Sequence, residues 1–444
     1  AITPSTSSTQ LASPLAPARM PRLLRLSTTS EAVRRRRASA VYQAWEFLGP
    51  GNIGGRPRTL VNDPANFDLM YSGGVSVGVW KTTNGGQSWT AISPDLTRKA
   101  WDVPANVGKY TGTAQVKVTQ RGVVYALAPS PLDINRIWAG TDDGLLHVTT
   151  DGGATWKNVT PPQLVPWAKV SIIEASHFDA KTAYAAINTL RLDDMRPHIL
   201  RTRDGGETWS EIVNGIPGGG IVSVVREDPK TRGLLFAGSE REVFVSFDDG
   251  DHWQSLRQNM PATSIRDLVL HDDDVVVATH GRGFWILDDI APLRELRGGQ
   301  APSPVRLLKP SLATRVIWNK NTDTPLPPDE PMGQNPPDGA VIDYVLASPA
   351  QNVTLEILDA NGKLVRRYSS DDKVDSPKDI GNWPWYWQRP PQVLSRHAGM
   401  HRFLWDLHHA PLPRKTPTFG INAVPFNTAP DYTSPWVVPG TYTV

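Results

Sequence analysis

Four short stretches of this sequence gather acids, arginines and histidines between apolar runs. They are Asp142-Asp143; Arg191, Asp193, Asp194, Arg196 and His198; Glu240-Arg241-Glu242; and His280 with Arg282. Paired carboxylates about 5 to 9 Å apart can hydrolyse a glycoside, one as general acid and the other as nucleophile or base. On that ground Asp142, Asp143, Asp193 and Asp194 are the candidate catalytic residues. Arg191, Arg196, His198, Glu240, Arg241, Glu242, His280 and Arg282 are the candidate binding residues, because such groups around one mouth suit a polar ligand. A plainer reading stands beside this one. Asp142, Asp143, Glu240 and Glu242 are also ordinary turn residues, and Asp193 could pair with Arg196 in a structural ion pair.

A repeat would bring these stretches together. The segment Thr82-Thr83-Asn84-Gly85-Gly86-Gln87-Ser88-Trp89 recurs from Thr149, Thr202 and Ser246, closing on Trp156, Trp209 and Trp253. Each copy reads Ser/Thr, any residue, Asp/Asn, any residue, Gly, two residues, Trp, and we call it a box. Asn84, Asp151, Asp204 or Asp248 can accept backbone N–H groups inside the turn, the glycines permit positive φ, and Trp89, Trp156, Trp209 or Trp253 can pack over the hairpin. Strand-like runs precede and follow each box, as in Val123 to Ala128, Ile137 to Gly140, Leu145 to Thr149 and Lys157 to Val159. Further units run over Asp68 to Ser93, Val170 to Val213 and Ile221 to Leu256; a fifth, Ile265 to Leu287, lacks the box. Four short strands per unit at this period describe the blades of a β-propeller. The box joins the third strand of a blade to its fourth, so the turn between the second and third lies on the opposite rim. That turn carries the candidate residues in four successive blades. The insertion Asn188 to His198 is longer than its counterparts, so recognition is expected there and structure alone is not expected to need it.

Several phrases resemble a known group: Gly73 to Trp80, Ile92 to Thr97, Trp138 to Gly144 and Ala278 to Asp289, together with the boxes. They are similar to Asp-box, or bacterial neuraminidase repeat, propellers of the bacterial sortilin-type family often labelled glycosyl hydrolases. The likeness covers roughly residues 45 to 444. It implies an all-β chain of four-stranded Asp-box blades followed by an immunoglobulin-like β-sandwich, with any active face opposite the boxes. Relatives of this kind are about twice as long. The arginine triad and Tyr/Glu pair of sialidases have no residue-by-residue match, which argues against that activity.

The expected organisation is a disordered Ser/Thr/Pro- and Arg-rich segment over 1–40, a propeller over 41–296, a Pro-rich linker over 297–337 and a sandwich over 338–444. The last run, Thr441 to Val444, reads as a strand cut short, so the sandwich is expected to be incomplete. The first segment also has the composition of a transit peptide or a signal remnant. Five blades are few for a closed ring, and an open edge near 93–123, with Gln115 to Thr119 as extra strand material, would allow self-association. The loop Trp383 to Trp387 could stack on sugars or pack between the two domains.

Composition narrows the function classes. A formal charge of +2 offers no electrostatic case for nucleic acid as the main partner. With no cysteine, thiol catalysis and cysteine metal ligands are excluded, and the histidines show no metal-ligand spacing, so no metal and no cofactor are expected. No apolar run approaches the length of a membrane span. The 40 prolines, 36 glycines and 16 tryptophans suit a turn-rich β protein. The expectation is a secreted, periplasmic or cell-envelope binding protein that recognises a glycan or peptide. The alternative is a glycoside hydrolase using rim carboxylates.

Overall fold

The computed structural model describes residues 57–74, 78–99, 122–296, 303–315, 339–374, 376–379, 384–412 and 434–444. The chain is all-β, and its first part is a series of propeller blades. Blade 1 is β1 (Pro57–Asn62), β2 (Met70–Gly74), β3 (Val79–Thr82) and β4 (Thr90–Ala91). Blade 2 is β5 (Val124–Pro129), β6 (Ile137–Thr141), β7 (Leu146–Thr149) and β8 (Lys157–Asn158). Blade 3 is β9 (Lys169–Ala175), β10 (Ala183–Asn188), β11 (Ile199–Thr202) and β12 (Ser210–Glu211). Blade 4 is β13 (Val222–Glu227), β14 (Leu235–Ser239), β15 (Val243–Ser246) and β16 (Gln254–Ser255). Blade 5 has three strands, β17 (Ile265–His271), β18 (Asp274–Thr279) and β19 (Phe284–Leu287). Every sheet is an antiparallel meander.

Hydrophobic burial explains the stacking. In blades 2 to 4 the middle strands are covered on both faces, and Ile137–Thr141 and Val243–Ser246 are buried throughout. Each fourth strand spans only two exposed residues, which leaves little free edge. Four separate apolar cores fill the gaps between successive blades. Tyr71, Val79, Leu127 and Ile137 join blades 1 and 2; Trp138, Leu146, Val170 and Ile187 join 2 and 3. Tyr184, Ile199, Val225 and Phe244 join 3 and 4; Phe236, Val245, Leu268 and Val277 join 4 and 5. The second strand approaches the next blade closely at a glycine. A Cβ on Gly140 would lie 2.4 Å from Val170 Cγ1, and one on Gly238 2.4 Å from Ile265 Cγ2.

The innermost strands pack side by side in the order β1, β5, β9, β13, β17, and among the described residues β17 does not pack on β1 as a neighbour. The outer face of blade 5 accordingly shows Val269, Phe284 and Ile286 at 51, 78 and 58% exposure, and blade 1 shows Leu60 at 62%. A short helix, α1 (Ala291–Leu296), leads to a second β region. There β20 (Val305–Leu307), β21 (Ala340–Leu346) and β24 (Gly399–Trp405) form one sheet, and β22 (Thr354–Leu358) and β23 (Leu364–Ser369) form another. The two share a core of Ile342, Tyr344, Ile357, Phe403 and Trp405. Thr443 joins it by an isolated bridge to Leu358. Arg402 seats this region on blade 5, donating to the Asp288 and Asp289 carbonyls at 2.7 Å each. The segments 1–40 and 93–123 are outside the described residues wholly or for the most part, Gln115 to Thr119 included. Most of the linker and Trp383 also lie outside them. No helix among the described residues is long and apolar enough to cross a membrane.

Candidate functional site

Each box folds as its residue types dictate. In blade 3, Asp204 accepts the Thr208 N–H at 2.9 Å and the Thr208 hydroxyl at 2.6 Å, while Gly206 N donates to Thr202 Oγ1 at 2.9 Å. Hydrogen bonds from Thr208 hold the Asp204 carboxyl down at about 2. Blade 2 repeats this with Asp151, Thr155 and Thr149; in blade 4 His252 takes the place of the threonine. The indoles act between blades. Trp156 donates to Ile92 O, Trp209 to Val159 O and Trp253 to Ile212 O, at 2.8, 2.9 and 2.8 Å, each reaching the end of the preceding blade. In blade 1 Trp89 donates within its own box, to Gly86 O at 3.1 Å. The boxes of blades 2 to 4 therefore serve as clamps between blades.

On the opposite rim the candidate residues form separate knots. Asp142 accepts the Val123 N–H at 2.7 Å and lies 3.7 Å from Arg191. Arg191 also donates to Trp167 O at 3.1 Å, and its guanidinium stands 5.5 Å from the Trp167 ring centre. Trp167 has a φ of +68°, rare for an aromatic residue, and its N–H donates to Asp143 O at 3.0 Å. Asp143 is buried and takes the Arg98 N–H at 2.8 Å; burial raises its pKa. Asp194, and not Asp193, pairs with Arg196, at 2.9 and 2.7 Å. That pairing holds the Asp194 carboxyl well below the usual range. His198 bridges Asp194 at 3.3 Å and Glu211 at 2.6 Å. Asp193 is exposed and closes a 3₁₀ turn (Leu190–Leu192) in left-handed conformation. Glu240 holds Arg266 at 3.2 Å, Arg266 reaches His280 at 3.2 Å, and Glu242 accepts Ser255 Oγ. Arg241 O accepts the Thr263 N–H, and Arg282 O accepts the Trp285 indole.

One expectation is corrected by this geometry. The insertion Asn188 to His198 does structural work: Leu192 is buried in the core between blades 2 and 3, and Arg191 ties the loop to Trp167 and Asp142. A loop packed in this way needs its length.

The sequence reading missed the channel. A cavity of about 1100 Å³ runs along the innermost strands. Near its mouth every blade carries a β-bulge at the same place, the second residue of its first strand or the one after it. The register slips between Pro57 and Thr59, Val124 and Ala126, Val222 and Val224, and Ile265 and Asp267. In blade 3 Val170 pairs with Ile187 and Ile172 with Ala186, leaving Ser171 as the extra residue. The extra residues are thus Arg58, Tyr125, Ser171, Ser223 and Arg266, and all five line the cavity. A bulge turns a side chain out of the regular alternation, and here it turns five toward one axis. Each first strand starts on the rim opposite the boxes, as the pairs Lys169–Asn188, Val222–Ser239 and Ile265–Thr279 show. Lys169 also lines the mouth, 3.5 Å above the Tyr125 ring. Toward the other end Arg226 joins Glu174 at 3.0 Å and Asp267 at 3.1 Å. None of the twelve rim residues proposed from sequence lines the cavity; Glu240 and His280 touch a residue that does, Arg266. One signal was available, the arginines, lysine and serines near the starts of otherwise apolar first strands.

No family model matches the chain, and no curated protein does either. Solved structures that it is similar to include the GH74 xyloglucanase from Xanthomonas campestris, at 18% identity and a TM-score of 0.38 over 53% of this chain and 37% of that one. An ancestral GH74 enzyme is similar at 18% and 0.38, over 78% and 42%. The extracellular domain of a one-component system from B. thetaiotaomicron is similar at 12% and 0.35, over 72% and 32%. The matched part spans about two-fifths of the two GH74 chains.

Proposed function

We propose that this chain is a binding protein of the cell envelope or exterior that takes a glycan into the channel mouth opposite the boxes. The arc of five equivalent bulges carries the reading, because it brings Arg58, Tyr125, Ser171, Ser223 and Arg266 from five blades to one opening. The same bulges favour a glycan over a peptide. A peptide adding as a strand needs a regular run of free backbone groups, and a bulge interrupts that run on each innermost strand. Hydroxyl, amide, aromatic and cationic side chains at the mouth, from Ser171, Asn188, Tyr125 and Lys169, are the groups that pair with sugars. The rim carboxylates favour binding over catalysis: Asp142, Asp143 and Asp194 are already engaged with backbone or arginine. A glycan array and a peptide array, run beside a panel of chromogenic glycosides, test the reading. Glycan binding without turnover is expected. Peptide binding alone would replace the ligand class, and turnover lost in Asp142→Asn or Asp193→Asn would make the protein a glycoside hydrolase.

A further inference from the structure

We infer that the glycan taken at this mouth is acidic, carrying uronate or sulfate groups; the inference rests on the binding reading above. It follows from how the charges pair. Around the rim three carboxylates are each matched to a guanidinium, Asp142 to Arg191, Asp194 to Arg196 and Glu240 to Arg266. Deeper in the channel Glu174 and Asp267 are both matched to Arg226. At the far end of β1, Asp63 takes the Ala65 and Asn66 N–H groups. These pairings leave Arg58 and Lys169, both lining the mouth, without a carboxylate partner among the described residues. Outside the cavity Arg241 and Arg282 are offset by Asp193 and Glu242, which have no cationic partner among those residues, and Asp63 keeps its charge at the far end, so the excess is local to the mouth.

Arg58 and Lys169 line the cavity from different blades, and the Lys169 ammonium sits over the Tyr125 ring, which holds it without neutralising it. Beside them Ser171 and Ser223 stand at equivalent bulges. Both residues are more than nine-tenths buried, and neither hydroxyl has a hydrogen-bond partner in the protein. A buried hydroxyl left unpaired costs stability, so its presence on two adjacent blades at a cationic mouth is what a site for oxygen-rich anions would show. Cations gathered in a concave, low-dielectric wall also concentrate an anionic ligand before it binds.

The test is calorimetric titration of the whole chain with four probes of matched length: oligogalacturonate, a sulfated oligosaccharide, a neutral oligosaccharide and a single-stranded DNA oligonucleotide. At least one acidic glycan is expected to bind roughly tenfold more tightly than the neutral one at low salt, and the difference is expected to shrink as salt screens it. The doubly substituted Arg58→Ala/Lys169→Ala protein, checked for native circular dichroism, is expected to lose that difference; Lys169→Gln is a milder second variant that is expected to lose part of it. Ser171→Ala/Ser223→Ala is expected to melt no lower than the parent and to bind the acidic probe more weakly. Neutral and acidic glycans binding equally would overturn the inference and leave the glycan reading intact. No glycan binding at all would overturn both. DNA binding as tight as the acidic glycan, or full acidic binding in the Arg58/Lys169 variant, would also overturn the inference.

Discussion

Blades 2 to 4 and blade 5 are held in the arc by different means. Each of the first three carries a box whose indole reaches a carbonyl of the preceding blade, over a gap filled by apolar side chains. Blade 5 has no box. Its Trp285 donates to its own Arg282 O, and beside the apolar core that it shares with blade 4 its side-chain polar ties to that blade are charged. Arg226 binds Asp267 and the Leu268 carbonyl; Arg294 and Lys230 converge on Asp273; Arg294 also takes Asp228, at 2.9 Å. Indole clamps lie at the three gaps between blades 1 and 4, and charge replaces them at the gap before blade 5, which meets Arg402 of the second β region. The two regions should therefore fail differently.

The largest effect is expected from Trp209→Ala. The side chain is buried, lies edge-on to Trp138 at 5.9 Å and donates to Val159 O. Its loss should cost about 3–5 kcal/mol in urea unfolding. Trp285→Ala, in a partly exposed ring that clamps nothing, should cost less than half of that; equal losses would erase the distinction between the two kinds of blade.

Next comes Arg226→Met. It leaves Glu174, 12% exposed, without its guanidinium and should cost about 2–3 kcal/mol. The more telling readout is local. Hydrogen exchange should quicken in Ile265 to Leu287 while the strands of blades 2 and 3 stay protected. Uniform acceleration would mean that the charged link stabilises the whole arc.

How much of this was legible in the sequence depends on what each feature is made of. The boxes could be read because a turn writes its needs locally: Asp204 for the N–H groups, Gly206 for its φ of +92° and Trp209 as the lid. Strand positions followed, and Ile137–Thr141 and Leu146–Thr149 lie where the runs Ile137 to Gly140 and Leu145 to Thr149 put them. The reach of Trp209 to Val159 was not legible, since it depends on how one blade sits on the next. The bulges were hidden for a related reason. A bulge is a slip in register between two strands, and Ser171 or Ser223 read alone looks like an ordinary polar residue in an alternation. The same holds for the choice of Asp194 over Asp193 as partner of Arg196, which the left-handed turn at Asp193 decides.

The pH responses should carry opposite signs. Hydrogen bonds from Thr208 and Thr155 depress Asp204 and Asp151 to about 2, below an unfolded carboxyl near 4. Their contribution to stability is present above pH ~4 and is lost as pH falls through about 2. His177 is shifted the other way: its hydrogen bond to Glu174 raises its pKa above 6.5. That contribution is complete below pH ~6.5 and disappears as pH climbs past the raised value. In Asp204→Ala the acid limb should flatten and stability at neutral pH should fall by about 1 kcal/mol. In His177→Ala the alkaline limb should flatten and the acid one persist. Urea midpoints across pH 2 to 9 separate the two, and an unchanged acid limb in Asp204→Ala would remove the box carboxylates from the account.

The smallest effect on stability, and the sharpest contrast in behaviour, is expected on the outer face of blade 5. In blades 1 to 4 the face toward the next blade is buried; in blade 5 the same face shows Phe284 and Ile286 to solvent at 78 and 58%. Two exposed apolar side chains contribute little to folding, so Phe284→Ser/Ile286→Thr should shift stability by no more than about 0.5 kcal/mol. They are, however, the counterpart of the surface that every other blade packs against, on a sheet whose last strand, β19, is an edge among the described residues. We therefore expect the parent chain to self-associate with rising concentration in light scattering and the double variant to remain monomeric. A parent that stays monomeric at millimolar concentration would mean that this face, unlike its four counterparts, is stable in water as it is.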